Sequence, residues 1–220
     1  MDPAAQGGRR GDTRQRIQQV ALELFAEQGY ERTSLREIAE RLGVTKAALY
    51  YHFKSKEDIV RSFSEDYLDE LDELVTWAKA QPRTAATAQK IVDRYIALVM
   101  ERREVFRFME RNQAMLHRSD DHKHHRLEQF RPRMNALVEA ITGPDAPTRS
   151  RVRATAAFFA VSASCMFFMP DPSGSAGSAI PFQPAPDAED LHKIVVEIAD
   201  DILHGIDTPG PGPASRGPAT

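Results

Sequence analysis

The sequence predicts an all-α chain, with an N-terminal three-helix helix-turn-helix domain followed by a larger helical domain. Three observations carry that expectation. Apolar residues recur at three- and four-residue spacing through most of the chain, and no stretch alternates with the period of two that marks a half-buried strand. Between Thr33 and Lys56, two short helical segments meet across a glycine turn, each with a hydroxyl residue in front of it. From Pro147 to Met169 the chain turns apolar nearly all round after Arg149, Arg151 and Arg153, the pattern of a helix covered on every side.

Taken in order, residues 1–11 are rich in Gly, Pro and Ala and read as a disordered arm. Arg9, Arg10, Arg14 and Arg16 make its approach to the first helix basic; it is either a solvated tail or an arm that lies on phosphates or in a minor groove. Ile17, Val20, Ala21, Leu24 and Phe25 then define a first helix that Gly29 ends.

Ser34 and Glu37 form a capping box at the head of the next helix. Leu35, Ile38, Ala39 and Leu42 share one face, and Gly43 stands where a left-handed residue closes the helix. Val44 plugs the turn, and Thr45 caps a helix of about two turns from Lys46 to Tyr51 or His52. Two helices joined this way can place the second in a DNA major groove. There, Leu49 points to the core, while Lys46, Ala47 and Ala48 make a slim leading edge. Small side chains allow close approach to base edges, and a lysine can donate to guanine O6 and N7. Tyr50, Tyr51 and His52 offer donors to phosphate oxygens. Ser55 caps a further helix whose positive N-terminal end, with Lys56, suits another phosphate.

Thr13 to about Val60 resembles the DNA-binding domain of TetR-type (tetracycline-repressor-like) transcriptional regulators. The residues carrying the resemblance are Phe25, Gly29-Tyr30, Thr33-Ser34, Ile38-Ala39, Leu42-Gly43-Val44 and Leu49-Tyr50-Tyr51-His52-Phe53-Lys54-Ser55-Lys56. The resemblance implies that Arg36, Thr45, Lys46, Ala47 and Ala48 read bases, while Thr33, Tyr50, Tyr51, His52 and Lys56 hold the DNA backbone. Lys46-Ala47-Ala48 stands where many relatives carry a Gly or Pro. The resemblance also implies that the last two long helices pair with their mates in a four-helix dimer interface.

Beyond Lys56 a long helix runs to about Ala80, with Ile59, Phe63, Tyr67, Leu71, Leu74, Val75 and Ala78 as its stripe, until Pro82 breaks the pattern. Further stripes lie at Ile91, Tyr95, Leu98 and Val99; at Val105, Phe108, Met109, Met115 and Leu116; and at Leu127, Phe130, Met134, Leu137, Val138 and Ile141, ended by Gly143-Pro144. The apolar run after Pro147 falls short of the ~20 residues of a membrane span and holds Thr155, Ser162 and Ser164. One face of it is expected to meet the domain core and the other a second subunit. Residues 170–187 read as a loop, a last amphipathic helix covers about Ala188 to Leu203, and the tail from about Asp207 reads as disordered. The expected domains are therefore an arm (1–11), the DNA-binding domain (12–55), a regulatory and dimerisation domain (56–206) and a tail (207–220).

Composition narrows the function classes. A net charge of −3 gives no protein-wide basic field, so nucleic-acid binding must rest on a local patch and a histone-like coat is excluded. The single cysteine, Cys165, rules out an internal disulfide and suits a cytoplasmic protein; it reads as a packed small hydrophobe. The opening residues lack the apolar core of a secretory signal. His117, His122, His124 and His125 beside Asp120 and Asp121 invite a metal reading, but cationic neighbours and the absence of a recognisable ligand spacing favour a solvated helix start. No phosphate loop, nucleophile elbow or paired-carboxylate signature is present, which argues against an enzyme, and no cofactor is expected.

Asn112 falls between Met109 and Leu116 on an apolar stripe, and Tyr95 places a hydroxyl on another. Buried polar groups of this kind need partners, from the protein or from a ligand. The expectation is a homodimeric regulator, a repressor, that binds a palindromic operator on double-stranded DNA. A small apolar ligand held among Tyr95, Met109, Asn112, Phe130, Met134 and Phe159 would release it. The alternative keeps the DNA binding and makes the C-terminal domain a protein-interaction module without a ligand.

Overall fold

The computed structural model describes the backbone of residues 3–112, 120–168 and 188–203, and the side chains of residues 12–109, 111–112, 128–164 and 189–203. All regular structure among them is helical: α1 (Pro3–Gln28), α2 (Leu35–Leu42), α3 (Lys46–His52), α4 (Lys56–Lys79), α5 (Ala85–Glu101), α6 (Arg103–Arg111), α7 (Asp120–Thr142), α8 (Thr148–Phe168) and α9 (Ala188–Leu203). Met115, Leu116 and His117, the loop over 170–187 and the tail from Asp207 lie outside the described residues, as do the side chains of Arg9, Arg10, the histidines at 122, 124 and 125, Leu127 and Cys165.

The stops and starts follow local chemistry. At α2, the Ser34 hydroxyl accepts from Glu37 N (3.2 Å) while the Glu37 carboxylate accepts from Ser34 N (2.7 Å). Gly43 closes α2 at φ 73°, its N–H reaching back to Glu40 O, and Thr45 accepts from Ala48 N at 3.1 Å to open α3. Thr84 caps α5 in the same way through Thr87 N. α1 begins at Pro3, inside the segment expected to be a disordered arm. A proline in a first turn forfeits no hydrogen bond, because its missing N–H would be an orphan there anyway.

The chain forms two compact units. The first comprises Met1–Asp69 with Glu104–Asp120, and the second Glu70–Arg103 with Asp121–Thr220. The boundary thus falls after Asp69 within α4 rather than at the 55/56 junction expected from sequence, and α6 joins the first unit. Packing explains this. Ile17, Phe25, Ile38, Leu49, Ile59 and Phe63 make one buried core, and Phe108 of α6 closes it. The Phe108 ring stacks on Phe25 (centroids 5.1 Å, 22°) and meets Phe63 edge-on (6.3 Å, 74°). A polar seam runs beside this core. Gln18 donates to both Ser62 Oγ (2.7 Å) and Asp66 Oδ2 (2.6 Å), and Arg14 donates to Asp66 Oδ1 (2.6 Å). These bonds fix the register of α1 on α4.

In the second unit, Leu71, Leu74 and Val75 of α4, Ile91 and Val92 of α5, Leu137 and Ile141 of α7 and Val161 of α8 are buried. α8 packs on α9 and α5 through Ala154, Ala157 and Phe158, and α9 answers with Leu191, Val195 and Ala199. The other side of α8 is open in the single chain, where Val152 is 60% and Phe159 74% exposed, with Ile194 and Ile198 of α9 also showing. No helix among the described residues is long and apolar enough to cross a membrane.

Candidate nucleic-acid interface and ligand cleft

In α3, Leu49 is completely buried and acts as the peg that sets the helix rotation. With that peg inward, Thr45, Lys46, Ala47 and Ala48 stand exposed together, and Tyr51 is 64% exposed at the far end. Lys46 Nζ lies 5.4 Å from the centre of the half-buried Tyr50 ring, and Tyr51 meets His52 edge-on. The result is a narrow convex edge of small residues with a cation at its head, flanked by phenol and imidazole. Arg36, on α2, is exposed and paired with Glu40 at 2.7 Å.

Two residues expected at the DNA backbone sit differently. Thr33 is 2% exposed, and its hydroxyl donates to Gly29 O at 2.9 Å, so it ties the α1–α2 turn. Lys56 Nζ donates to Tyr30 O (2.7 Å) and sits 4.4 Å from the centre of the Tyr30 ring. An ammonium held over a ring face by a carbonyl is a fastener of the fold. Tyr30 in turn donates its hydroxyl to Glu57 at 2.7 Å. Burial and that carboxylate push the Tyr30 phenol well above its ordinary range, while the phenol's hydrogen bond holds the Glu57 carboxyl below its own. The α4 N-terminus is likewise engaged from within. Ser55 Oγ accepts from Asp58 N (3.1 Å), and Asp58 Oδ2 accepts from Lys54 N (3.0 Å).

In the second unit a cleft of about 510 Å³ opens between α5, α7 and α8. Tyr95, Phe130, Met134, Val138, Phe158 and Phe159 supply its apolar walls, and Glu128, Arg131, Asn135, Thr155 and Ser162 its polar points. The Tyr95 and Phe158 rings meet edge-on at 5.0 Å. The structure therefore gathers four of the six expected ligand residues, Tyr95, Phe130, Met134 and Phe159. Met109 packs instead against the core of the first unit. Asn112 follows the last residue of α6, with its backbone N–H (3.1 Å) and Nδ2 (2.8 Å) both on Phe108 O. It serves as a helix end and not as a polar residue within a continuous apolar face, because α6 stops at Arg111. Ser162, Phe158 and Val138 escaped the sequence reading, since their meeting depends on how α7 crosses α8. Pro132 within α7 was a visible local signal: it leaves the Glu128 carbonyl without its helical donor.

Residues 17–63, which hold the α3 edge and the core beneath it, match the family model for bacterial regulatory proteins of the tetR family. Over these residues the chain is similar to the TetR family. This is a family of DNA-binding transcriptional regulators, not of enzymes. Curated relatives agree over the same region. The transcriptional regulator AcrR of Shigella flexneri is 48% identical over 64 residues, 28% of this chain and 30% of that protein. The transcriptional repressor KstR2 of Mycolicibacterium smegmatis is 41% identical over 56 residues, 26% of this chain and 27% of that one. The chain thus matches less than a third of the length of these relatives. The fold extends further. The TetR-family regulator PfmR of Thermus thermophilus superposes with a TM-score of 0.61 at 22% identity, over 87% of this chain and 98% of that one. A regulator from Aquifex aeolicus does so at 0.63 and 18%, over 86% and 99%.

Proposed function

We propose that this protein is a sequence-specific DNA-binding transcriptional regulator, a cytoplasmic homodimeric repressor released from a palindromic operator by a small apolar ligand. The observation that carries the reading is the α3 edge. Lys46, Ala47 and Ala48 are exposed side by side on a helix capped by Thr45 and pegged by Leu49, so backbone can approach base edges closely. Thr45, Lys46, Ala47 and Ala48, with Arg36 if it leaves Glu40, read bases. Tyr50, Tyr51 and His52 hold phosphates. Repression is supported by the relatives named as repressors.

The dimer reading rests on the open faces of α8 and α9, where Val152, Phe159, Ile194 and Ile198 stand exposed. Such a patch is costly to leave in water and suits a two-fold interface in which each face meets its own copy. Two reading heads related this way take half-sites in successive major grooves, roughly 34–36 Å apart or slightly more. The ligand reading rests on the aromatic cleft, whose volume and mixture of apolar wall and few polar points suit a small molecule. Release requires that the ligand bind the non-DNA conformation more tightly, since equal affinity for both shifts nothing.

Selection of random DNA fragments by the purified protein tests the first part. An inverted repeat should emerge, and Ala47→Glu should abolish its recovery without changing the helical circular-dichroism signal. Recovery of fragments with no common sequence would refute operator recognition. Sedimentation showing a monomer at micromolar concentration would refute the dimer.

A further inference from the structure

The cleft holds a hydrogen-bond chain whose direction is set by proton counting. Ser162 Oγ lies 3.0 Å from Phe158 O and 2.7 Å from the Tyr95 hydroxyl oxygen. A carbonyl oxygen only accepts, so the one serine proton goes to Phe158 O. The Tyr95 hydroxyl must then donate to Ser162, because no other arrangement makes both bonds. Both hydroxyl protons point along the chain and away from an incoming ligand. What remains for a guest at Ser162, which lines the cleft, is an acceptor lone pair. On the opposite wall Glu128 adds a carboxylate, beside the exposed Arg131 and Asn135.

We infer that the cleft selects a neutral aromatic molecule bearing a hydroxyl group, which donates its proton to Ser162 Oγ while its rings lie against Phe130, Met134 and Phe158. The inference rests on the reading of this cleft as a ligand site and adds the ligand's chemical class. An ionised carboxylate has no proton to offer and would bring its charge beside acceptors and apolar rings, where desolvation is costly. Arg131, the cation at the cleft, is exposed and screened by solvent, so it compensates little. An ether of the same shape fills the walls but leaves the serine lone pair unmatched and dry.

Calorimetric titration of the full chain with four probes of one shape separates these cases: 4-phenylphenol, 4-methoxybiphenyl, biphenyl and biphenyl-4-carboxylate. The phenol should bind about five- to tenfold more tightly than the methyl ether, the range one net hydrogen bond supplies. Ser162→Ala should shrink that ratio below about twofold. The wild-type probe series stands without the variant if the variant fails to fold. Equal binding of phenol and ether, tightest binding of the carboxylate, or a phenol preference that survives Ser162→Ala would each overturn the inference while leaving a ligand cleft in place. Saturable binding by none of the four would overturn the cleft as a ligand site, and the inference with it.

Discussion

Phe108 and Phe159 show how differently the two units use the same side chain. Phe108 lies among Phe25, Tyr30 and Phe63, 6% exposed, and completes the core under α3. Phe159 is 74% exposed, at the edge of the cleft and on the open face of α8. The first unit spends its polar groups internally too. Thr33, Lys56, Ser55, Asp58, Gln18 and Asp66 all bond to their own fold, while the α3 edge of Thr45, Lys46, Ala47 and Ala48 stands exposed. The second unit leaves a concave aromatic surface with a few polar points. A partner of fixed shape, such as a groove, calls for a rigid convex reader, whereas a small molecule calls for walls it can complete.

The largest effect that tests this contrast is the paired truncation of those phenylalanines. Phe108→Ala should lower unfolding free energy by about 3–5 kcal/mol, the usual cost of deleting a buried ring. Phe159→Ala should change the stability of the isolated chain by no more than about 0.5 kcal/mol, as exposed substitutions do. Denaturant midpoints for both variants, taken at a concentration where wild type is monomeric, settle the matter. Similar losses would erase the distinction between the two sites.

Next come the two lysines at the heads of α3 and α4. Lys46→Ala should relax preference at one or two operator positions by about 1–3 kcal/mol in competition binding. Lys56→Ala should act on the fold instead, costing about 1 kcal/mol in stability through the lost Tyr30 contacts. A Lys56→Ala protein of wild-type stability whose DNA affinity falls with a salt slope smaller by about 1 would return Lys56 to the phosphates.

Gly43→Ala should cost about 1–2 kcal/mol, because φ of 73° is unfavourable for any side chain although an added Cβ would meet no atom within 4 Å. If thermal melts show no loss, the α2–α3 turn is more pliable than its geometry implies.

The smallest effect is in acid. The Glu57 carboxyl is held below its ordinary range by the Tyr30 hydrogen bond, so this contribution is full above the unfolded carboxylate value near ~4.3. It is lost as pH falls through the lower folded value. Solvent exposure limits it to roughly 0.5 kcal/mol or less. Tyr30→Phe should therefore flatten the fall in stability between neutral and acid pH by that amount, and an unchanged slope would remove the role given to the pair.

Much of the first unit was legible because its signals are local. Ser34 with Glu37, Gly43 and Thr45 lie within a dozen residues of what they control, and caps and left-handed glycines act through the backbone beside them. The exposed edge of Lys46, Ala47 and Ala48 follows from Leu49 alone by helical periodicity. The roles of Thr33 and Lys56 were hidden, because a hydroxyl or ammonium in a list of residues does not reveal which carbonyl it will meet.

What the amino-acid order determined by itself is therefore the helical class, the capped turn and the orientation of α3, all set by interactions spanning three or four residues. Tertiary structure alone decided that α6 belongs to the core beneath α3, that Asn112 ends a helix, and that Tyr95 meets Ser162 across 67 residues of chain. The physical reason is range. Hydrogen bonds and periodicity along one helix are written in consecutive residues, but the pairing of two helices depends on which side chains interlock once both are formed.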